Sequence, residues 1–284
     1  MEQHPLTVAV TGATGAQGGA AARALLAAGH HVRALTRHPD SAVDLRELGA
    51  EVVAADFDDP PSLDRAFAGA DAVFVVTTPF GTDLDTEIRH GVAAIDAAVR
   101  AGVGHIVFTS AANADRNTGI PHFDSKRVVE QHLADVTDNW TVIGPAAFMD
   151  SVTGGWMIRS LPDGRYSLPM SPTTPLKLIA ATDIGAFAAY VIGHRADFLG
   201  RRVDIASDEL TGDDIARTLG AITGRDVRHE PTPLADIARY STDLAAMFDY
   251  FDRVGMDIDV TALRTDYPEV GWHTFADWSA ERFS

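Results

Sequence analysis

The segment that most constrains the fold is residues 8–18, where a short apolar run leads into three glycines and then into an alanine-rich stretch. The apolar run predicts a strand, and the stretch from about 17 to 28 predicts a helix. At such a turn Gly12 permits the tight bend, Gly15 lets the backbone approach a pyrophosphate, and Gly18 allows close packing of helix on strand. The helix would point its free N–H groups at the phosphates. We therefore predict a dinucleotide site.

A glycine-rich turn alone is weak evidence, because such turns also connect strands to helices with no ligand bound. The order of the neighbouring elements strengthens the prediction, since residues 31–36 read as the second strand that a βαβ unit requires. Within the turn, Thr14, Ala16 and Gln17 are expected to contact the cofactor beside the three glycines. The alternative is a plain turn without a ligand.

Apolar strands and helices continue to alternate along the chain, five strands in about 110 residues. Nearly continuous apolar runs are typical of strands buried on both faces, which indicates a parallel sheet. We predict an α/β protein with a Rossmann-type, doubly wound parallel sheet and a smaller, mostly helical C-terminal substrate region. A later helix is expected from Asp183, with Thr182 as its N-cap. The predicted domains are 1–150 with 176–207 returning to it, and a lid of 151–175 and 208–284.

Composition excludes several classes of function. The net charge of −17 disfavours nucleic acid as a partner, and the chain has no cysteine, so neither disulfides nor thiolate metal sites are expected. No pair of histidines has metal-site spacing, and no metal is expected. No apolar run has the length of a membrane span, and residues 1–5 show no secretory signal. We expect a cytoplasmic protein that does not bind membranes.

Six motifs follow one another along the chain: TGATGAQG at 11–18, TR at 36–37, ADFD at 55–58, HFDSK at 122–126, GPAAFMD at 144–150 and LTGD at 210–213. In their order and spacing they resemble the NmrA-like branch of the atypical short-chain dehydrogenase/reductase superfamily. The resemblance covers most of the chain. It implies binding of NADP(H), in members that are either reductases or redox-sensing regulators.

Arg37 indicates which dinucleotide is preferred. In a Rossmann site, an acidic residue about 20 positions past the glycines accepts hydrogen bonds from the ribose 2′-hydroxyl, whereas an arginine there suits a 2′-phosphate. Arg37 lies 19 residues beyond Gly18. A guanidinium can bind a phosphate through two parallel hydrogen bonds. We predict NADP(H); the alternative is an ordinary solvated arginine.

Other residues are expected to line the same cofactor. Asp56 and Phe57 would flank the adenine, although Asp56 is as well explained as a turn-forming residue ahead of the acidic and proline-rich segment 58–61. Further cofactor contacts are expected from Thr77, Thr78, Pro79, Lys126, Pro145 and Phe148.

The resemblance also implies three catalytic positions. Typical short-chain dehydrogenases use a serine, a tyrosine and a lysine four residues after the tyrosine. Ser110 and Lys126 match the first and last, but His122 stands at the tyrosine position. Three interpretations of His122 stay open: a general acid, a hydrogen-bond donor to the substrate, or a helix-start histidine without a catalytic part.

The leading hypothesis is an NADPH-dependent oxidoreductase that transfers hydride to a carbonyl, quinone or activated double bond of a small hydrophobic molecule. The alternative is a non-catalytic NADP(H) redox sensor that regulates a protein partner. The sequence leaves open whether the chain forms a homodimer.

Overall fold

The computed structural model describes residues 4–283. The chain forms two compact units, one of residues 4–115, 122–144 and 181–203 and one of residues 116–121, 145–180 and 204–283. The chain start, on which the expectation of no secretory signal partly rests, lies outside the described residues. Among the described helices, none combines the length and apolar character that crossing a membrane requires.

The first unit is built around a seven-stranded sheet. Its order is β10-β6-β5-β4-β1-β2-β3, and the pairs from β6 to β3 are all parallel. Strand order reverses between β1 and β4, which makes the end of β1 a topological switch point. The strands are β1 (Thr7–Val10), β2 (His31–Thr36), β3 (Glu51–Ala54), β4 (Ala72–Val76), β5 (His105–Thr109), β6 (Trp140–Pro145) and β10 (Arg201–Ile205).

Helices cover both faces of this sheet, because the strands are apolar on both sides. Phe74 and Val75, neighbours on β4, are each fully buried, although successive side chains of a strand point to opposite faces. The doubly wound sheet predicted from the sequence is confirmed. The helices of this unit are α1 (Ala16–Ala27), α2 (Val43–Glu47), α3 (Pro60–Phe67), α4 (Leu84–Arg100), α5 (Pro121–Val136), α7 (Ala181–Gly193) and α8 (Arg195–Phe198).

Helices α1 and α7 lie against each other on one face. A Cβ added at Gly185 would come within 2.4 Å of the Ala20 backbone, so only glycine permits this approach. On the other face, α3, α4 and α5 bury one cluster with the strands, including Phe67, Ile95 and Phe108. The hydrophobic core therefore lies on both faces of the sheet. A ligand site is expected where the strands end, because the faces are covered by helices.

The second unit combines short strands with helices. A three-stranded sheet has the order β11-β9-β7, and β12 pairs with β8. The helix α9 begins with a capping box in which Thr211 and Asp214 exchange hydrogen bonds. The strands are β7 (Ala147–Phe148), β8 (Arg165–Tyr166), β9 (Leu176–Ile179), β11 (Asp208–Leu210) and β12 (Arg228–His229); the helices are α6 (Met149–Val152), α9 (Gly212–Thr223), α10 (Leu234–Tyr240), α11 (Thr242–Arg253), α12 (Val260–Asp266) and α13 (Phe275–Phe283).

Two local predictions differ from the structure. The sequence predicts that residues 176–207 return to the first domain, but β9 pairs with β7 and β11, and within this range α7, α8 and part of β10 belong to the first unit. The position of a segment along the chain does not identify the strand with which it pairs. Helix α7 begins at Ala181, so Thr182 lies inside its first turn and is not its N-cap.

Candidate functional site

Five neighbouring strands of the large sheet end at one edge. Because β1 to β5 run parallel, the residues that follow their carboxyl ends lie along that edge, where open α/β sheets bind their ligands. The sequence-predicted residues after these strands are Gly12, Arg37, Asp56, Thr77 and Ser110. The edge therefore gathers most of the predicted site.

Glycine is needed at the three positions of the first turn for different structural reasons. Gly12 has a φ of +58°, which disfavours other residues, and its carbonyl accepts a hydrogen bond from the Gly15 N–H at 2.9 Å. A Cβ at Gly18 would lie 2.3 Å from the Gly12 oxygen, so helix and turn can approach only with glycine there. A Cβ at Gly15 would lie 3.3 Å from the same oxygen, a tight contact without a severe clash.

The fold thus requires glycine at positions 12 and 18 more strictly than at position 15. Gly15 is the exposed N-cap of α1, with extended backbone and no side-chain cap. Thr14 and Ala16 beside it are exposed as well. Gln17 is engaged: its amide oxygen accepts a hydrogen bond from the Thr109 hydroxyl at 2.7 Å. This arrangement leaves the helix N-terminus open to an anion.

Arg37 follows β2 and is exposed. Within residues 4–283 no hydrogen-bond or ion-pair partner occupies its guanidinium. Arg33, inside the same strand, differs: it donates to the carbonyls of Ala66 and Ala68, at 3.2 and 2.7 Å, and pairs with Glu51. Arg33 is therefore structural, and Arg37 is the arginine of this strand whose donors are open to a phosphate.

Asp56 makes the turn that the sequence offered as its alternative role. Its side chain accepts the Asp58 N–H at 3.0 Å, and its backbone carbonyl accepts the Asp59 N–H, also at 3.0 Å. Phe57 is half-buried and stacks on His90, with ring centroids 5.1 Å apart. The contact of both residues with adenine stays a prediction.

The segment after β4 combines a buried residue with an exposed turn. Thr77 is buried, whereas the Thr78 hydroxyl oxygen accepts the Phe80 N–H at 3.2 Å. Pro79 is half-buried, and its carbonyl accepts the Thr82 N–H. The position of this turn beside the switch point agrees with a cofactor-lining segment.

Lys126 is nearly buried on α5 and reaches the end of β4. Its Nζ donates to the Thr77 carbonyl at 3.3 Å and to Glu87 Oε1 at 2.8 Å. Glu87, in the first turns of α4, has no exposed surface. The structure therefore brings together Lys126 and Thr77, both predicted, with Glu87, which the sequence pattern explains only as favourable charge at a helix start.

Ser110, directly after β5, is held by a second buried carboxylate. Its hydroxyl donates to Glu130 Oε1 on α5. Arg202 on β10 donates to Glu130 Oε2 at 3.1 Å and to the Ala111 carbonyl at 2.6 Å. Burial raises the pKa of the Glu130 carboxyl, against the opposing effect of Arg202. Neither Glu130 nor Arg202 was predicted from the sequence.

His122 lies one helical turn before Lys126 on α5 and is 6% exposed. Its ring packs edge-on against Phe123, with centroids 4.8 Å apart. It also contacts the ring of Phe80 at 5.8 Å, and Phe80 itself is 66% exposed. His122 is thus set among aromatic rings next to the predicted ribose-binding lysine.

Two predicted cofactor residues belong to the second unit. Pro145 is buried at the end of β6, and Phe148 is half-buried on β7, where it pairs with Ile179 of β9. Their contact with a cofactor stays a prediction.

Helical periodicity could have identified Glu87 and Glu130, the two buried glutamates that were not predicted as site residues. Glu87 shares the buried stripe of α4 with Gly91, Ala94 and Ile95, and Glu130 shares that of α5. A carboxylate on the buried stripe of a helix is desolvated at a cost unless a partner neutralises it. A glutamate at such a position therefore indicates a buried hydrogen-bond donor or cation opposite it.

The comparisons with known proteins agree with this geometry. A model of the NmrA-like family matches residues 5–278. The chain is 32% identical, over 96% of its length, to a (4-alkanoyl-5-oxo-2,5-dihydrofuran-3-yl)methyl phosphate reductase of Streptomyces griseus, of which 97% is covered.

Solved structures share the fold. The triphenylmethane reductase of Citrobacter sp. complexed with NADP(H) is similar with a TM-score of 0.84 and 22% identity, over 98% of this chain and 100% of that one. NmrA, a negative transcriptional regulator, in complex with NADP is similar with a TM-score of 0.82 and 22% identity, over 99% and 96% of the two chains.

Proposed function

The chain belongs to the NmrA-like family, and from this premise we propose that it is an NADPH-dependent oxidoreductase. It transfers hydride to a carbonyl, a quinone or an activated double bond of a small hydrophobic molecule. The observation that carries the proposal is the cradle at the first turn. Glycine at position 15 is only weakly required by packing, whereas a ligand's pyrophosphate would need the space that a Cβ there would fill.

The residues along the sheet edge suit the two ends of this cofactor. Gly12, Gly15 and Gly18 would hold the pyrophosphate, Arg37 the 2′-phosphate, and Lys126 the nicotinamide ribose. The overall charge of −17 repels anions, so these local donors must supply the attraction. NADPH, when bound, supplies the hydride.

The chain's own part in the reaction is to orient the acceptor and to provide a proton. The Ser110 hydroxyl donates its proton to Glu130, so it can orient a carbonyl or quinone oxygen only when that proton turns from Glu130 towards the substrate. His122 provides an imidazole N–H for a substrate oxygen, in the place where related enzymes have a tyrosine. Phe80 and His122 supply ring surfaces for a hydrophobic acceptor. The Streptomyces griseus relative, which is named a reductase, supports this class of reaction.

A redox sensor is the second candidate. It is favoured by the histidine at the tyrosine position and by the engaged proton of Ser110, since both weaken the usual proton supply. A sensor would keep the same cofactor cradle and would bind a protein partner in place of a substrate.

Turnover separates the two functions. NADPH is added with a panel of quinones, ketones and enones, and the loss of its absorbance is followed. We expect oxidation with at least one acceptor, abolished by Lys126→Ala and reduced by Ser110→Ala. The variant Asp85→Asn, which removes an exposed charge near the start of α4, serves as the control and should match the unaltered chain. Tight NADPH binding with no oxidation across the panel would contradict the oxidoreductase and support the redox sensor.

A further inference from the structure

The contact between Glu87 and Lys126 joins two helices at the sheet edge. The lysine side chain is 10% exposed and that of Glu87 not at all. Burying a charge is costly unless it is paired and hydrogen-bonded, so each of these side chains needs the other. Gly91, one turn after Glu87, allows this approach, because a Cβ there would lie 2.7 Å from Val129 of α5.

The carboxylate of Glu87 is fixed by donors on both oxygens. Oε1 accepts from Lys126 and, at 3.3 Å, from the Thr77 hydroxyl. Oε2 accepts from the Ser125 hydroxyl at 2.5 Å. Three donors from the end of β4 and from α5 therefore hold Glu87, and the carboxylate cannot rotate without losing at least one of them.

The ammonium group of Lys126 has three N–H donors. One is directed at Glu87 Oε1 and another at the Thr77 carbonyl. Among the described residues no hydrogen-bond acceptor takes the third. Two fixed acceptors determine where the remaining N–H is directed, and they do so at the ligand-binding edge of the sheet.

We propose that Glu87 is a positioning residue for the cofactor. By fixing Lys126 through one oxygen and Ser125 through the other, it reserves one lysine N–H for the nicotinamide ribose of NADP(H). It also balances the lysine charge, so that Lys126 acts as a directed hydrogen-bond donor. The inference rests on the proposed function, because it requires Lys126 to contact the nicotinamide half of the cofactor.

The test compares a ligand that reaches Lys126 with one that does not. Dissociation constants are measured for NADPH and for adenosine 2′,5′-bisphosphate, which keeps the adenine end and lacks the nicotinamide ribose. The variants are Glu87→Gln, Glu87→Asp, Lys126→Met and Glu87→Gln with Lys126→Met; Asp85→Asn is the control. Thermal unfolding of each variant establishes that it is folded.

We expect Glu87→Gln and Glu87→Asp to weaken NADPH about tenfold, the loss of one well-placed hydrogen bond to a charged group. Adenosine 2′,5′-bisphosphate should bind within about twofold of the unaltered chain. In the Lys126→Met background, Glu87→Gln should have no further effect, because its action passes through the lysine. The double variant removes both charges together, so it provides a folded comparison if Glu87→Gln alone unfolds.

Three outcomes would overturn the inference: unchanged NADPH binding in both single Glu87 variants, equal weakening of the two ligands, or additive effects of Glu87→Gln and Lys126→Met. A failure of the proposed function is different, because the unaltered chain would then either bind neither ligand or bind NADPH without oxidising it in the acceptor panel.

Discussion

Ser110 donates the single proton of its hydroxyl to Glu130, on a helix 20 residues further along the chain. The same carboxylate is paired with Arg202, whose side chain is 17% exposed. While this hydrogen bond is made, Ser110 can only accept hydrogen bonds from a ligand, and Glu130 is the central member of a buried polar network.

Substitutions of Ser110 and of Glu130 should therefore differ in their effect on the free energy of unfolding. Ser110→Ala removes one hydrogen bond but leaves Glu130 paired, and we expect a loss of about 1 kcal/mol in the free energy of unfolding. Glu130→Gln leaves Arg202 without its nearest carboxylate, and we expect a loss of about 3 kcal/mol. Urea unfolding at neutral pH measures both. Equal losses would contradict the network as described.

The glycines of the first turn give a second prediction. Gly18→Ala forces a Cβ to 2.3 Å from the Gly12 oxygen, so both the stability and the binding of NADPH should fall. Gly15→Ala places the Cβ at 3.3 Å, so the melting temperature should change little while NADPH binding is lost. Thermal unfolding and a binding titration check the two variants. If Gly15→Ala still binds NADPH, the pyrophosphate does not need the space that a Cβ at position 15 would fill.

Arg37 tests the choice of cofactor. Loss of a charge-assisted contact with a 2′-phosphate should weaken NADPH about tenfold to a hundredfold in Arg37→Ala, and leave NADH nearly unchanged. Arg65→Ala is a matched control, since it removes an exposed guanidinium on α3 that is 70% accessible. If the two dinucleotides weaken equally in Arg37→Ala, the phosphate assignment is wrong.

His105 gives the chain a pH-dependent stability. Thr141 donates its proton to the Phe198 carbonyl at 2.7 Å, so the hydrogen bond at 2.8 Å between the Thr141 hydroxyl and His105 Nε2 requires a proton on that nitrogen. The other ring nitrogen is buried with no hydrogen-bond partner among the described residues. Burial, with the positive charge of Arg195, lowers the pKa of His105 to about 4.

The sign follows from this lowered pKa. Between pH 6.5 and about 4 the unfolded chain binds a proton at His105 that the folded chain does not, so stability falls as the pH falls through this window. The contribution is of the order of 3 kcal/mol. His105→Gln should flatten the pH dependence of urea unfolding over this range. An unchanged slope would show that His105 titrates normally in the folded chain.

The sequence predicts the elements of the large sheet well because their signals are local. Strand β2 has the predicted bounds: its apolar residues Val32, Ala34 and Leu35 are buried, and a glycine and a proline lie on either side of it in the sequence. The start of helix α4 is equally local, with Asp83 accepting the Thr86 N–H at its N-terminus. Each of these features is decided within about four residues.

The parts that were missed depend on distant residues. Strand β9 lies in the range that the sequence assigns to the first domain, and its pairing with β7 and β11 places it in the smaller sheet instead. Arg202 reaches Glu130 across 72 residues of sequence. The spacing of apolar residues does not indicate such a contact. Only the folded structure shows which carboxylate each donor binds.

Binding of NADP(H) at the edge of the sheet beside Gly15 is the property on which the proposed function depends. Calorimetric titration of the unaltered chain with NADPH measures it. We predict saturable binding at one site per chain, with a dissociation constant of about 1–100 µM and weaker binding of NADH. No saturable heat with either NADPH or NADP⁺ at millimolar concentration would contradict it.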